Sequence, residues 1–200
     1  MSWLGELRGV IPPRRLSLQE ARILAERQAN MLRRRLRLDE PAMPSQLMVT
    51  LPWVVVGERP LRDGSAGGTK WHDRRWTIVL NGREPYTRRR FSLAHELKHI
   101  VDHPLAEVLY GHPRHQRKKS TEHVCDYFAA CLLMPKLWVK RLYFSGVQDV
   151  DQLAELFDVS PQATAIRLTQ LGLRETYGRH SELDTLYLRS SPVLPLELAA

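Results

Sequence analysis

R-R-R-F-S-L-A-H-E-L-K-H-I-V-D-H, residues 88 to 103, is the stretch on which the reading of this chain turns. Inside it, His95-Glu96-Leu97-Lys98-His99 has the H-E-x-x-H spacing. On a helix, residues four apart lie about 40° apart around the axis, so both imidazoles can reach one metal ion. Glu96 points to the side, placed to take a proton from water activated at that ion rather than to bind it. Leu93, Leu97, Ile100 and Val101 form an apolar stripe, with His95 and His99 on the opposite face. The pattern predicts a helix from about Ser92 to Asp102, stopped before Pro104.

Two protein ligands do not complete a catalytic zinc site, which takes a third and keeps one position open. One common arrangement supplies a histidine six residues past the second; here that position is Leu105. The alternative is a carboxylate on a following helix. Residues 121–126 offer Glu122, with Asp126 one turn later and the small Ala129 on the same face. Two neutral imidazoles and one carboxylate leave a divalent site with a net charge of about +1, which brings bound water towards a pKa of about 7. His123 is a second option for the third ligand, although it faces roughly 100° away from Glu122. His103 lies one turn beyond His99 and can approach the cleft. Asp102 and Asp126 are candidates to orient a ligand imidazole, and Tyr127, His103 or a nearby arginine to stabilise an oxyanion. His72, His112, His115 and His180 have no spacing that asks for a metal.

Working outward, Ser17 and Glu20 form a capping-box pattern that opens a helix over 17–38, closed by Pro41 and Pro44. Leu47 to Val56 reads as one strand, Gly57 to Thr69 as a loop, and Lys70 to Asn81 as a second strand ending at Asn81-Gly82. Tyr110 to Ser120 reads as a loop holding Arg114, Arg117, Lys118 and Lys119. Thr121 to Leu133 is a helix, and Pro135 suits the first turn of the next, through Phe144. Short helices follow at 149–157 and 161–171, and the tail from Arg174 has no periodicity and is expected to be loose. The fold class is α+β, with a small mixed or antiparallel sheet. Residues 1–145 form the metal-binding domain, 146–173 a helix-turn-helix-like part, and 174–200 a tail.

With 200 residues and 43% hydrophobic content, the chain can bury a core without disulfides. The N-terminus has no apolar signal region, and the longest apolar run, Leu47 to Val56, is broken by Pro52 and falls short of the roughly 20 residues a bilayer demands. A cytoplasmic protein with no membrane partner is expected. Cys125 and Cys131 diverge by about 240° on one helix, which argues against a bridge between them. The net charge of +8 gathers at Arg33–Arg35 and Arg37, at Arg88–Arg90 and at 114–119, without interleaved aromatics for base stacking. Asp151 to Leu173 has the outline of a helix-turn-helix. Leu153, Leu156 and Phe157 form its first apolar face, Val159 sits in the turn, Ser160 is the cap, and Ile166, Leu168 and Leu171 face inward. Its second helix would offer Gln162, Thr164, Arg167 and Gln170 to DNA, with one positive charge among them, so direct DNA binding is not favoured.

The 88–103 segment is followed by E-x-x-C-D-Y-F-A-A-C-L-L-M-P (122–135), preceded by Ile78-Val79-Leu80-Asn81, and trailed by L-A-E-L-F-D-V-S-P-Q-A-T-A-I-R-L-T-Q-L-G-L (153–173). Together these resemble the ImmA/IrrE-type metallopeptidases over residues 76 to 173. The resemblance implies a zincin-like fold, zinc (or manganese, which the same N/O donors admit) held by His95, His99 and Glu122, and Glu96 as general base. It also implies a protein substrate, a cognate helix-turn-helix repressor whose cleavage relieves repression. The competing reading is a DNA-binding or partner-binding regulator, of toxin–antitoxin or phage-repressor type, with a non-catalytic metal site. The strand from Trp76 to Asn81 is expected at the edge of the cleft, where an extended substrate could add to the sheet. Lys98 stands where the family commonly has glycine, and Asp126 where it often has asparagine.

Overall fold

Helix α1 (Trp3–Arg8) is capped by Ser2, whose side chain accepts from the Gly5 N–H. α2 (Leu18–Arg35) opens on the expected capping box: Ser17 Oγ accepts from Glu20 N–H while the Glu20 carboxylate accepts from Ser17 N–H. Its Ala21, Leu24, Ala25, Ala29 and Leu32 face the core. This computed structural model describes residues 2–61, 65–111 and 114–174, with 114–117 as backbone only. His112, His180, the His115, Arg114 and Arg117 side chains and the tail beyond Arg174 lie outside the described residues.

The stretch Leu47 to Val56 is not one strand. It divides into α3 (Ser45–Val49) and β1 (Val54–Arg59), with Trp53 between them at φ 71. Pro52 lacks an N–H and Trp53 takes a left-handed turn, so neither helix nor strand can run through them. Lys70 to Asn81 is likewise a hairpin, of β2 (Gly67–His72) and β3 (Arg75–Asn81). Its two turn residues, Asp73 and Arg74, adopt φ 49 and 59, the left-handed pair that a tight hairpin turn requires. No glycine or asparagine marks that turn. The sheet order is β1-β3-β2, β1 parallel and β2 antiparallel to β3, with Val56 and Thr69 both opposite Ile78. β3 is therefore the central strand, burying Trp76, Ile78 and Leu80, and the expectation that it forms the cleft edge is overturned: β2 occupies that edge.

α4 (Tyr86–Asp102) starts after Pro85, six residues before the expected Ser92. It is buried on nearly every side rather than on one stripe, because the sheet, α1 and the long α6 (Arg114–Leu133) all pack on it. α5 (Ala106–Tyr110) lies between α4 and α6. α6 begins at Arg114, so the basic run expected in a loop is helical; Pro113 and Gly111 precede it and nothing up to Ser120 interrupts it. α7 (Lys136–Phe144) has Pro135 as its N-cap residue. α8 (Val150–Phe157) and α9 (Pro161–Gln170) close the described chain, with Ser160 Oγ capping α9 through Ala163 N–H. The fold is α+β, nine helices and a three-stranded mixed sheet among the described residues.

Arginines fasten the helix ends. Arg8 donates to the carbonyls of Ile100 (2.8 Å) and Val101 (3.2 Å), orphans of the last turn of α4. Arg33 donates to Leu132 O (3.2 Å) and Glu40 O, and Arg167 to Met134 O (3.1 Å). Arg90 is the hub: its guanidinium meets Ser45 Oγ (2.9 Å), Met43 O, Phe157 O (3.2 Å) and Asp158 O, and pairs with the Asp158 carboxylate at 3.0 Å. Leu156, expected on the inner face of α8, is exposed, while Thr164 and Arg167, expected on the outer face of α9, are buried.

Candidate metal centre

α4 and α6 pack against each other, and Ala129 of α6 is fully buried. His95 Nε2 lies 3.0 Å from His99 Nε2, and the Glu122 carboxylate reaches His95 Nε2 at 3.3 Å and His99 Nε2 at 3.5 Å. Donor bonds of 2.0–2.1 Å at the tetrahedral angle set donor–donor separations of about 3.3 Å, so the three groups stand as ligands of one small divalent ion would. Glu122 Oε2 is buried and takes no hydrogen bond. A buried carboxylate whose Oε2 stands 3.3 Å from His95 Nε2 and whose Oε1 stands 3.5 Å from His99 Nε2 is a costly arrangement unless a positive charge joins them.

The charges agree with that reading. Burial pulls the His95 pKa down, yet hydrogen bonds to Asp126 and Glu122 and the charges of Asp126 and Glu96 outweigh it and lift it to about 10. Burial pushes Glu122 up, but His95 and His99 hold its carboxyl below the usual range. A protonated His95 therefore sets a positive charge between the Asp126 and Glu122 carboxylates. His95 Nδ1 meets Asp126 Oδ1 at 2.7 Å, a buried carboxylate that aims Nε2 at the centre of the site.

Glu96 is buried beside the two histidines, and its Oε2 accepts a hydrogen bond from Thr69 Oγ1 on β2. Gly67 lets β2 close on β3 beside it: a Cβ there would stand 2.9 Å from Val79 O. Ala66, Gly67, Arg88, Phe91 and Ser92 line a small cleft with His95, Glu96 and Asp126. Arg88 is the arginine at this cleft. Thr69 and Gly67 were beyond reach of sequence spacing, because the hairpin that delivers them has no turn signature.

Other candidates go elsewhere. His103 is exposed and packs edge-on against Trp76 at 4.8 Å. His123, a third of a turn from Glu122, contacts Arg22. Tyr127 reaches Glu26 (3.4 Å) and lies between Arg22 and Arg167, each 5.5 Å from its ring. Asp102 orients no imidazole; it pairs with Lys98 Nζ at 2.7 Å and accepts from Tyr110 OH. Lys98 itself is fully buried and also donates to Gln28 Oε1 at 2.6 Å, while Gln28 Nε2 donates to Leu7 O at 2.9 Å. One residue joins the site unannounced: Cys125 Sγ lies with a ring nitrogen each of His95 and His99 in a group spanning no more than 4.8 Å. Cys125 and Cys131 are both free and buried.

The sequence matches the profile of a peptidase family described as the IrrE N-terminal-like domain over residues 53–169, from the residue before β1 to the last turn of α9. Among solved structures, the chain is similar to a Mycobacterium tuberculosis transcriptional regulator, at 16% identity over 84% of this chain and with a TM-score of 0.53. That likeness shows a shared fold, and the chain spans 52% of the regulator's length. No curated protein matches the sequence. No helix among the described residues is long and apolar enough to cross a membrane. More than half of the chain lies inside the family match, including both histidines, Glu96 and Glu122, and the chain belongs to the IrrE N-terminal-like peptidase family.

Proposed function

We propose that this chain is a zinc-dependent endopeptidase, acting on a helix-turn-helix transcriptional repressor. The observation that carries the peptidase reading is the buried Glu122 carboxylate, with Oε2 facing His95 and Oε1 facing His99 at ligand spacing and a buried glutamate alongside. His95, His99 and Glu122 would hold the ion, and manganese satisfies the same donors. Such an ion, when bound, polarises a scissile carbonyl and makes water a nucleophile at neutral pH.

The chain's own groups do the rest. Glu96 takes the proton of the attacking water and hands it to the departing amine. The Thr69 hydroxyl holds the Glu96 carboxylate in one orientation, and Asp126 fixes the His95 ring with its Nδ1–H donated away from the centre. The outer edge of β2 is the place for an extended substrate to add by strand pairing, next to Glu96. Arg88 supplies a positive charge at the same cleft for the developing oxyanion.

The repressor substrate is supported by the family and by the regulatory setting of the structural neighbour, not by a groove of known specificity. Direct reading of DNA is disfavoured by the burial of Arg167, the one cation that α9 had to offer. The test is to incubate the zinc-loaded chain with the helix-turn-helix protein encoded beside it and to look by mass for one discrete cut. Glu96→Gln should bind one zinc per chain and lose at least ~100-fold in cleavage rate. Cleavage by Glu96→Gln at the wild-type rate would remove Glu96 from the mechanism.

A further inference from the structure

Glu122 and Cys125 are three residues apart on α6, so they share a face of the helix and look at the same pair of imidazoles. The first is a hard oxygen donor; the second is a soft sulfur donor, fully buried and within 4.8 Å of both rings. A further sign that this space suits a cation is the Glu122 carboxylate, on a residue 8% exposed, whose Oε2 stands 3.3 Å from His95 Nε2 without a well-formed hydrogen bond. Thiolate binds zinc as well as Cu(I), but the softer the ion, the more it gains from sulfur over a carboxylate.

We propose that the centre has a second ligand set, His95, His99 and Cys125, which takes a thiophilic ion such as Cd2+ or Cu(I) in place of zinc. This rests on the reading of the centre as a metal site. The two histidines are common to both sets, and the exchange is between one donor of α6 and another. In the exchange, zinc would give up His95, His99 and Glu122 and leave to solvent, while the incoming ion would bond both histidines and Cys125 Sγ, whose S–H proton passes to solvent; no electron changes hands. Because Cys125 is wholly buried, with Asp102 and Lys98 among the charges acting on it, an ion held there sits towards the core. Zinc and a thiophilic ion would then compete for one centre, with only the Glu122-bound form placed for catalysis.

The experiment is an optical titration of the full chain with Cd2+, followed by competition with Zn2+. The thiolate-to-cadmium charge-transfer band in the near ultraviolet should rise to a plateau at one ion per chain. It should vanish in Cys125→Ser and Cys125→Ala and persist in Cys131→Ser and Glu122→Gln. Cys125→Ser should lose more than about tenfold in Cd2+ affinity while keeping its Zn2+ affinity, which also certifies its fold. Cd2+ bound at one per chain without the band, or a band that survives Cys125→Ser, would overturn the inference and leave the peptidase reading standing. If neither Zn2+ nor Cd2+ binds the native chain, both fall together. Should both cysteine variants prove unfolded, loss of the band in Glu122→Gln would overturn the proposal by itself.

Discussion

His95 faces acceptors from two directions, Asp126 at Nδ1 and Glu122 at Nε2, and this fixes its acid–base behaviour. Stripped of metal, the ring stays protonated through neutrality, since its pKa is raised to about 10. A folded-state pKa above the unfolded value near 6.5 stabilises the metal-free protein fully below pH 6.5, and that contribution fades as pH rises through about 10. Metal must displace the same proton. Calorimetry of Zn2+ binding at pH 7.5 in two buffers of different ionisation heat should therefore report release of about one proton from His95, and the affinity should climb with pH. Lys98 poses the opposite problem, a buried cation on the motif helix where a small residue is common. Replacing it alone, Lys98→Met, strands Asp102 and should cost about 3–5 kcal/mol in urea unfolding, whereas Lys98→Met with Asp102→Leu should regain most of that loss. At this scale the sequence is most legible where chemistry repeats along one helix: His95, Glu96 and His99 declare themselves by spacing. Thr69, Arg88 and the nearness of Cys125 do not, because each depends on how another element folds back.

Among the elements, those punctuated by proline or a polar cap could be read directly. α2 shows Ser17 and Glu20, α7 follows Pro135, and α9 follows Ser160-Pro161. The sheet was misread because its tight turn is made by Asp73 and Arg74, residues that tolerate but do not advertise a left-handed backbone. Arg74 at φ 59 stores strain that glycine would relieve, so Arg74→Gly should stabilise the protein by about 0.5–1 kcal/mol, read as an increase in the urea midpoint at constant slope. The start of α6 is hidden for a related reason: four cations within the six residues 114–119 look like a solvated loop, yet Lys118 and Lys119 are simply the exposed face of a helix.

Over the whole molecule, the basic character changes meaning. Arg8, Arg33, Arg90 and Arg167 spend donors on backbone carbonyls at helix ends. No periodicity announces this, since a guanidinium that closes a helix terminus looks in sequence like one that meets solvent. Arg90→Met should cost about 3 kcal/mol or more, because it orphans carbonyls at Met43, Phe157 and Asp158 at once. The loss should appear in thermal melts followed by circular dichroism.

The same guanidinium bears on how the protein breathes. Met43 ahead of α3, Ser45 at its start, the first half of α4 and the end of α8 share one donor group, so none can swing open without exposing a buried charge. Local fraying at these three places is thereby suppressed, and their amide protons should swap with heavy water only when the chain unravels as a unit. The scaffold behind the histidines would then be among its slowest-exchanging parts.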